Sequence, residues 1–228
     1  MKTKFPFFRI YVSLLSILSV TIHASERPQY SLLRYNEDWS TFSRSEHRDK
    51  FDKLKYVSPT ANGEIWMSFG GQWRERVEAW DNFAFGTPAN DQDVVLLQRV
   101  VQHVDIHSGE RFRVFVEAIS ALATERDLPG GKRSIDVDSF DLLNGFADLS
   151  FRIGDGKLTT RIGRQQFKFG KQRLVSPLPW ANANHRWDGV NAIYIEKGYS
   201  LQAFASRYVP VDKYDFNESD HGNKLSGL

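Results

Sequence analysis

The chain has 228 residues, 41% hydrophobic, 25% charged and 14% aromatic, with 16 Gly, 8 Pro and no Cys, a composition neither collagenous nor disordered. A mean hydropathy of -0.45 and the lack of any long apolar run after residue 22 exclude a bundle of membrane-spanning helices, and the absence of thiols excludes a disulfide framework, thiolate metal sites and thiol redox chemistry. The formal charge of +2, from 30 basic and 28 acidic residues, is too small a surplus to argue for a nucleic-acid partner.

Residues 1–24 read as a secretory signal peptide. Lys2, Lys4 and Arg9 precede an apolar stretch, Ile10 to Ile22, diluted by Ser13, Ser16 and Ser19, and Ala24 supplies a small residue for cleavage. Those 13 residues would rise about 20 Å as a helix, short of the roughly 30 Å a membrane anchor must cross. Cleavage removes three basic residues, so the mature chain carries 27 basic against 28 acidic residues. Residues 25–62 are polar, with a mixed charge run from Glu46 to Lys55 and turn signals at Ser58-Pro59 and Asn62-Gly63. They read as an irregular leader.

From Ile65 the pattern alternates with period two, the mark of a strand with two unlike faces. Ile65, Met67, Phe69, Gly71 and Trp73 share one face; Trp66, Ser68, Gly70, Gln72, Arg74, Arg76 and Glu78 share the other. Asp93 to His107 sets Val94, Leu96, Val100, Val104 and Ile106 against Arg99, His103, Asp105 and His107. Arg111 to Ala123 sets Phe112, Val114, Val116 and Ala118 against Arg111, Arg113, Phe115 and Glu117. In Leu143 to Ile153, Leu143, Ala147, Leu149, Phe151 and Ile153 alternate with Asn144, Phe146, Asp148, Ser150 and Arg152. Weaker candidates are Leu158 to Phe169, with a phase switch near Gly163 as a bulge would cause, Trp187 to Glu196 and Tyr199 to Tyr208. The count is seven strands.

Short connections at Ser108 to Glu110, Gly154 to Gly156 and Lys197-Gly198 alternate with long ones at Asp81 to Gln92, Thr124 to Leu142 and Gly170 to Arg186. Long strands, a doubly charged face and long loops at one end predict an all-β fold: an antiparallel transmembrane β-barrel of the outer-membrane porin type, apolar outside and polar within. In that reading 63–228 is the N-terminal half of the barrel and the leader lies in the periplasm or tucks into the lumen. Trp66 and Phe112 fall near the inner membrane interface, and Trp80, Phe83, Phe85, Trp180 and Trp187 near the outer one.

The strand motifs, in order, resemble the alginate export family of bacterial outer-membrane barrels. The resemblance rests on Tyr30 to Trp39 (YSLLRYNEDW), Ser68 to Glu78 (SFGGQWRERVE), Leu97-Gln-Arg99, His103 to Arg113 (HVDIHSGERFR), Phe146-Ala-Asp-Leu149, Arg161-Ile-Gly-Arg-Gln165 with Gly170 and Arg173-Leu-Val175, and Trp187-Asp-Gly-Val190. It implies a channel of about 18 antiparallel strands that passes anionic polysaccharide or related acidic solutes through a positively lined pore. Seven strands cannot close such a barrel, so the sequence is expected to hold about half of it.

Alternation aims Arg74, Arg76, Arg99, Arg113 and Arg152, with Glu117 and Asp148, at the lumen, and the resemblance adds Arg161 and Arg164. Guanidinium groups stay charged and bind carboxylates bidentately, so these nine are the expected selectivity residues; cross-strand salt bridges are the competing role. His103, Asp105 and His107 share a face, but at a turn where polar residues need no special reason, and Asp136, Asp138 and Asp141 lack the glycine and closing glutamate of a calcium loop. No metal or other cofactor is expected. No nucleophile motif or phosphate loop is complete, so the chain is not read as an enzyme. The expectation is thus a passive outer-membrane channel for an alginate-like polyuronate, or alternatively a structural or adhesive barrel with a plugged lumen. Its expected partners are an anionic saccharide or acidic small solute, outer-membrane lipid and periplasmic export machinery.

Overall fold

The computed structural model describes residues 27–44 and 50–228; the expected signal peptide lies outside them. Eight strands form one antiparallel sheet in sequential order: β1 (Ile65–Trp80), β2 (Asp93–Ser108), β3 (Phe112–Ala123), β4 (Asp138–Ile153), β5 (Gly156–Gln165), β6 (Arg186–Glu196), β7 (Tyr199–Val209) and β8 (Lys224–Gly227). β1 and β2 pair without a break from Ile65↔Ser108 to Trp80↔Asp93. A side-chain period of two and an unbroken register together keep each strand's apolar residues on one face. That face is open, with Trp73 73% and Val77 65% exposed.

The charged face is the covered one. The leader packs Leu33 and Tyr35 against Phe115 and Phe146, and Trp39 and Phe42 against Trp66. Trp66 lies between Tyr56 and the His107 ring, which stacks on it at 3.9 Å. The long connection between β5 and β6 also folds back over this face, where Ala183 joins Val101, Ile119, Ala121 and Leu143. Asn182 shares its side-chain N–H groups among the carbonyls of Gln98, Leu122 and Asp136.

Several expectations are corrected here. Among the described residues, β1 pairs with β2 and otherwise makes one bridge, Val57↔Met67, and β8 pairs only with β7. The sheet is therefore open, and the porin-type barrel predicted from the strand pattern, and implied again by the resemblance, is not what this chain forms. Without a closed wall there is no lumen, so both the arginine-lined channel and the plugged barrel fall as readings. The outer-membrane location and the lipid, traversing-solute and export-machinery partners rested on the same barrel and fall with it. Among the described residues no helix is long and apolar enough to cross a membrane, which says nothing of strands. Trp66 and Trp187 are buried in aromatic clusters rather than set along an interface.

Smaller differences have local causes. An eighth strand lies beyond the seven expected, where Lys224 to Gly227 add to the β7 edge. β4 starts at Asp138, well before Leu143, because two register shifts against β3 absorb extra residues in β4 and hide the alternation there. Gly163 is not a bulge. Pairing runs through it on both sides, but its φ of +132° turns the strand, so Arg161 and Arg164 are both buried although their positions differ in parity.

Candidate functional site

The chemistry of the chain lies between the charged face of the sheet and the segments folded over it. Two kinds of arginine occur there. The first kind holds a carboxylate in both arms of its fork, the geometry that makes a charge-assisted pair strong. Arg113 on β3 reaches Asp105 on β2 at 2.7 and 2.8 Å and donates to the Tyr35 carbonyl at 2.7 Å. Burial alone would raise the Asp105 carboxyl, but His107 and Arg113 hold it below the ordinary aspartate value. Arg161 on β5 grips Asp148 on β4 at 2.8 Å twice and lies 3.7 Å over the Phe146 ring and 4.4 Å over Tyr35. Arg164 grips Asp188 on β6 and also reaches Asp141 at 3.1 Å. Despite burial, those acids raise its pKa.

The second kind lacks such a carboxylate clamp, and of its members Arg99 is buried and Arg74 half-buried. Arg74 and Arg99 stand directly opposite each other on β1 and β2, a repulsive placement for like charges. Their donors go to the β5–β6 connection: Arg74 to the carbonyls of Pro179 and Ala181 and to Asn182, Arg99 to the Ala181 carbonyl and Asn184, with Gln72 as its further partner. Neutral acceptors only partly offset desolvation of a cation. Burial, reinforced by Arg74 and Arg76, brings Arg99 down to about 10, and burial followed by Arg76 lowers Arg74. Arg76 caps the same connection at the Trp180 carbonyl and pairs with Glu78 at 2.7 Å.

Glu117 is 2% exposed. It accepts from Asn144 at 2.6 Å and lies 3.7 Å from His103 Nδ1. Burial pushes its carboxyl up to about 7 and the His103 imidazole down to about 4. Arg152, exposed beside the β4–β5 turn, has no hydrogen-bond or ion-pair partner among the described residues. It borders a cleft of about 1270 Å³ that also touches Tyr35 to Asp38, Ser40, Trp66 and Lys157. A second cavity of about 240 Å³ lies between Ser31 to Arg34 and the Arg74, Arg99 and Glu117 side chains.

Eight of the nine expected residues thus line the covered face, and Arg152 sits at its rim. Sequence reasoning missed a buried knot in which Arg186 meets Asp138 at 2.6 Å and also Asp141, with Asn217 donating to both acids. Asp138 and Asp141, assigned to a loop from the sequence, are strand residues with 0% exposure. Among the described residues no group of three or more His, Cys, Asp or Glu could hold a metal ion. It also missed Tyr35, whose signal was an aromatic embedded in an otherwise polar leader.

The family described as alginate export matches residues 65–228. That span excludes the leader motif, so the resemblance carried by Tyr30 to Trp39 lies outside the match. No curated protein and no solved structure matches the chain.

Proposed function

We propose, for a chain that belongs to the alginate export family, a family of transport and not of catalysis, that its part in export is that of a preassembled sheet which holds its covering segments in place. The observation that carries this reading is the use of Arg74, Arg76 and Arg99: all three grip backbone carbonyls of residues 179–181. Arginines kept for passing ligands would present free forks, whereas these are spent on one connection. We assign Arg113, Arg161 and Arg164, with Asp148, to bracing between strands, because each arginine clamps a carboxylate across the sheet. Glu117 is assigned to the junction with Asn144 and Gln166, and Arg152 is left as the residue free to meet whatever enters the 1270 Å³ cleft.

The test replaces Arg74 and Arg99 together by Gln in the full chain and follows limited proteolysis of the β5–β6 connection. Gln keeps a donor but neither the charge nor the reach of the fork. The expected result is faster cleavage within that connection while the strands stay protected. Cleavage at the parent's rate in a folded double variant would refute the holding role.

A further inference from the structure

The two cavities of the covered face are separated by one stretch of chain. Ser31 to Arg34 bounds the inner cavity of about 240 Å³, and Tyr35 to Asp38 with Ser40 bounds the outer cleft of about 1270 Å³. We propose that residues 31–40 are a movable partition between these cavities, latched by Tyr35, whose withdrawal joins them into one polar passage along the sheet.

The bonding of the segment is that of a unit made mostly with itself. Glu37 collects the Ser31 amide at 3.0 Å, Arg34 at 2.9 Å and the Trp39 indole N–H at 3.0 Å. The amides of Asn36 and Glu37 return to the carbonyls of Leu33 and Arg34. Among the described residues, two hydrogen bonds join 31–40 to the sheet and its connections, and both pass through Tyr35. Its hydroxyl donates to the Gln166 carbonyl at 2.6 Å, and its own carbonyl accepts from Arg113 at 2.7 Å. The ring sits edge-on to Phe115 and Phe146 at 5.8 and 5.2 Å. A compact segment hydrogen-bonded to its bed at one residue, and held elsewhere by the apolar contacts of Leu33 and Trp39, opens as a body, because breaking that latch leaves its internal bonds intact.

The natural lack of cysteine makes accessibility the direct test. Val101 borders the inner cavity, and Val101→Cys in the full chain reports opening through its rate of maleimide labelling. Ala121→Cys, fully buried and away from both cavities, is the control. Tyr35→Phe removes the hydroxyl bond and keeps the ring, so labelling at 101 should rise roughly 2- to 10-fold, the range for one net hydrogen bond. Tyr35→Ala, which also vacates the aromatic bed, should raise it on the order of 100-fold. Labelling at 121 should stay unchanged in both. An unchanged rate at 101 in Tyr35→Phe overturns the partition. Equal acceleration at 101 and 121 overturns it too, since the substitution would then have loosened the whole sheet.

Discussion

Replacing Glu117 by Gln should make the stability of this protein depend on pH where the parent's does not. Glu117 and His103 are both under 9% exposed and 3.7 Å apart, so their shifts need little discount for solvent. Glu117 is held at about 7, chiefly by burial, against Asn144, Arg34 and Arg99, which favour its charge, and with Glu37, which opposes it. His103 is held at about 4, again chiefly by burial, with Lys55 and Arg34 opposing its charge and Glu37 and Asp105 favouring it. The raised carboxyl contributes stability that is complete below its ordinary value of 4.5 and is lost as pH rises through 7. The depressed imidazole contributes stability that is complete above 6.5 and is lost as pH falls through 4. Each displacement is worth about 3 kcal/mol. Between 4.5 and 6.5 the folded pair carries one proton, on Glu117, and the unfolded pair carries one, on His103, so the opposing slopes cancel. In Glu117→Gln the amide oxygen still accepts from Asn144 and the histidine slope stands alone. Urea unfolding followed from about pH 8 to about pH 4 should show the variant about 3 kcal/mol more stable than the parent at the upper end, converging with it at the lower. His103→Gln should show the mirror image. A Glu117→Gln curve parallel to the parent's throughout would refute the reasoning.

Asp148→Ala should cost about 3 to 5 kcal/mol in unfolding free energy by stranding the buried Arg161, whereas the double change with Arg161→Met should recover a large part of that loss in the same measurement. Gly163→Ala places a methyl group 2.2 Å from the Gly145 carbonyl oxygen at a φ of +132°. It should destabilise by about 2 to 4 kcal/mol in the same urea titration, and a change near zero would show that β5 can relax there. Trp73→Gln, on the open apolar face, should shift stability by no more than about 0.5 kcal/mol. A large loss there would reveal a packing partner for that face.

Period-two alternation is local physics, because one strand's own sequence tells which residues share a face, and so residues 65 to 123 were legible strand by strand. Arg74, Arg99, Arg113, Glu117 and Asp148 lie on the face that parity assigned them. Parity failed where the backbone departs from an extended strand: at the β3–β4 register shifts, which hid Asp138 and Asp141, and at Gly163, whose left-handed φ reverses the facing of Arg164. The sequence by itself determined seven of the eight strands and their charged face; the family model matches 65–228, while the barrel that the likeness implied is overturned by the open sheet. Tertiary structure alone decided that the sheet stays open, that the leader and the β5–β6 connection cover the charged face, and which acceptor each arginine takes. Those outcomes turn on contacts such as Tyr35 with Gln166 and Arg99 with Ala181, 131 and 82 residues apart. Alternation within one strand carries no information about a partner that arrives from so far along the chain.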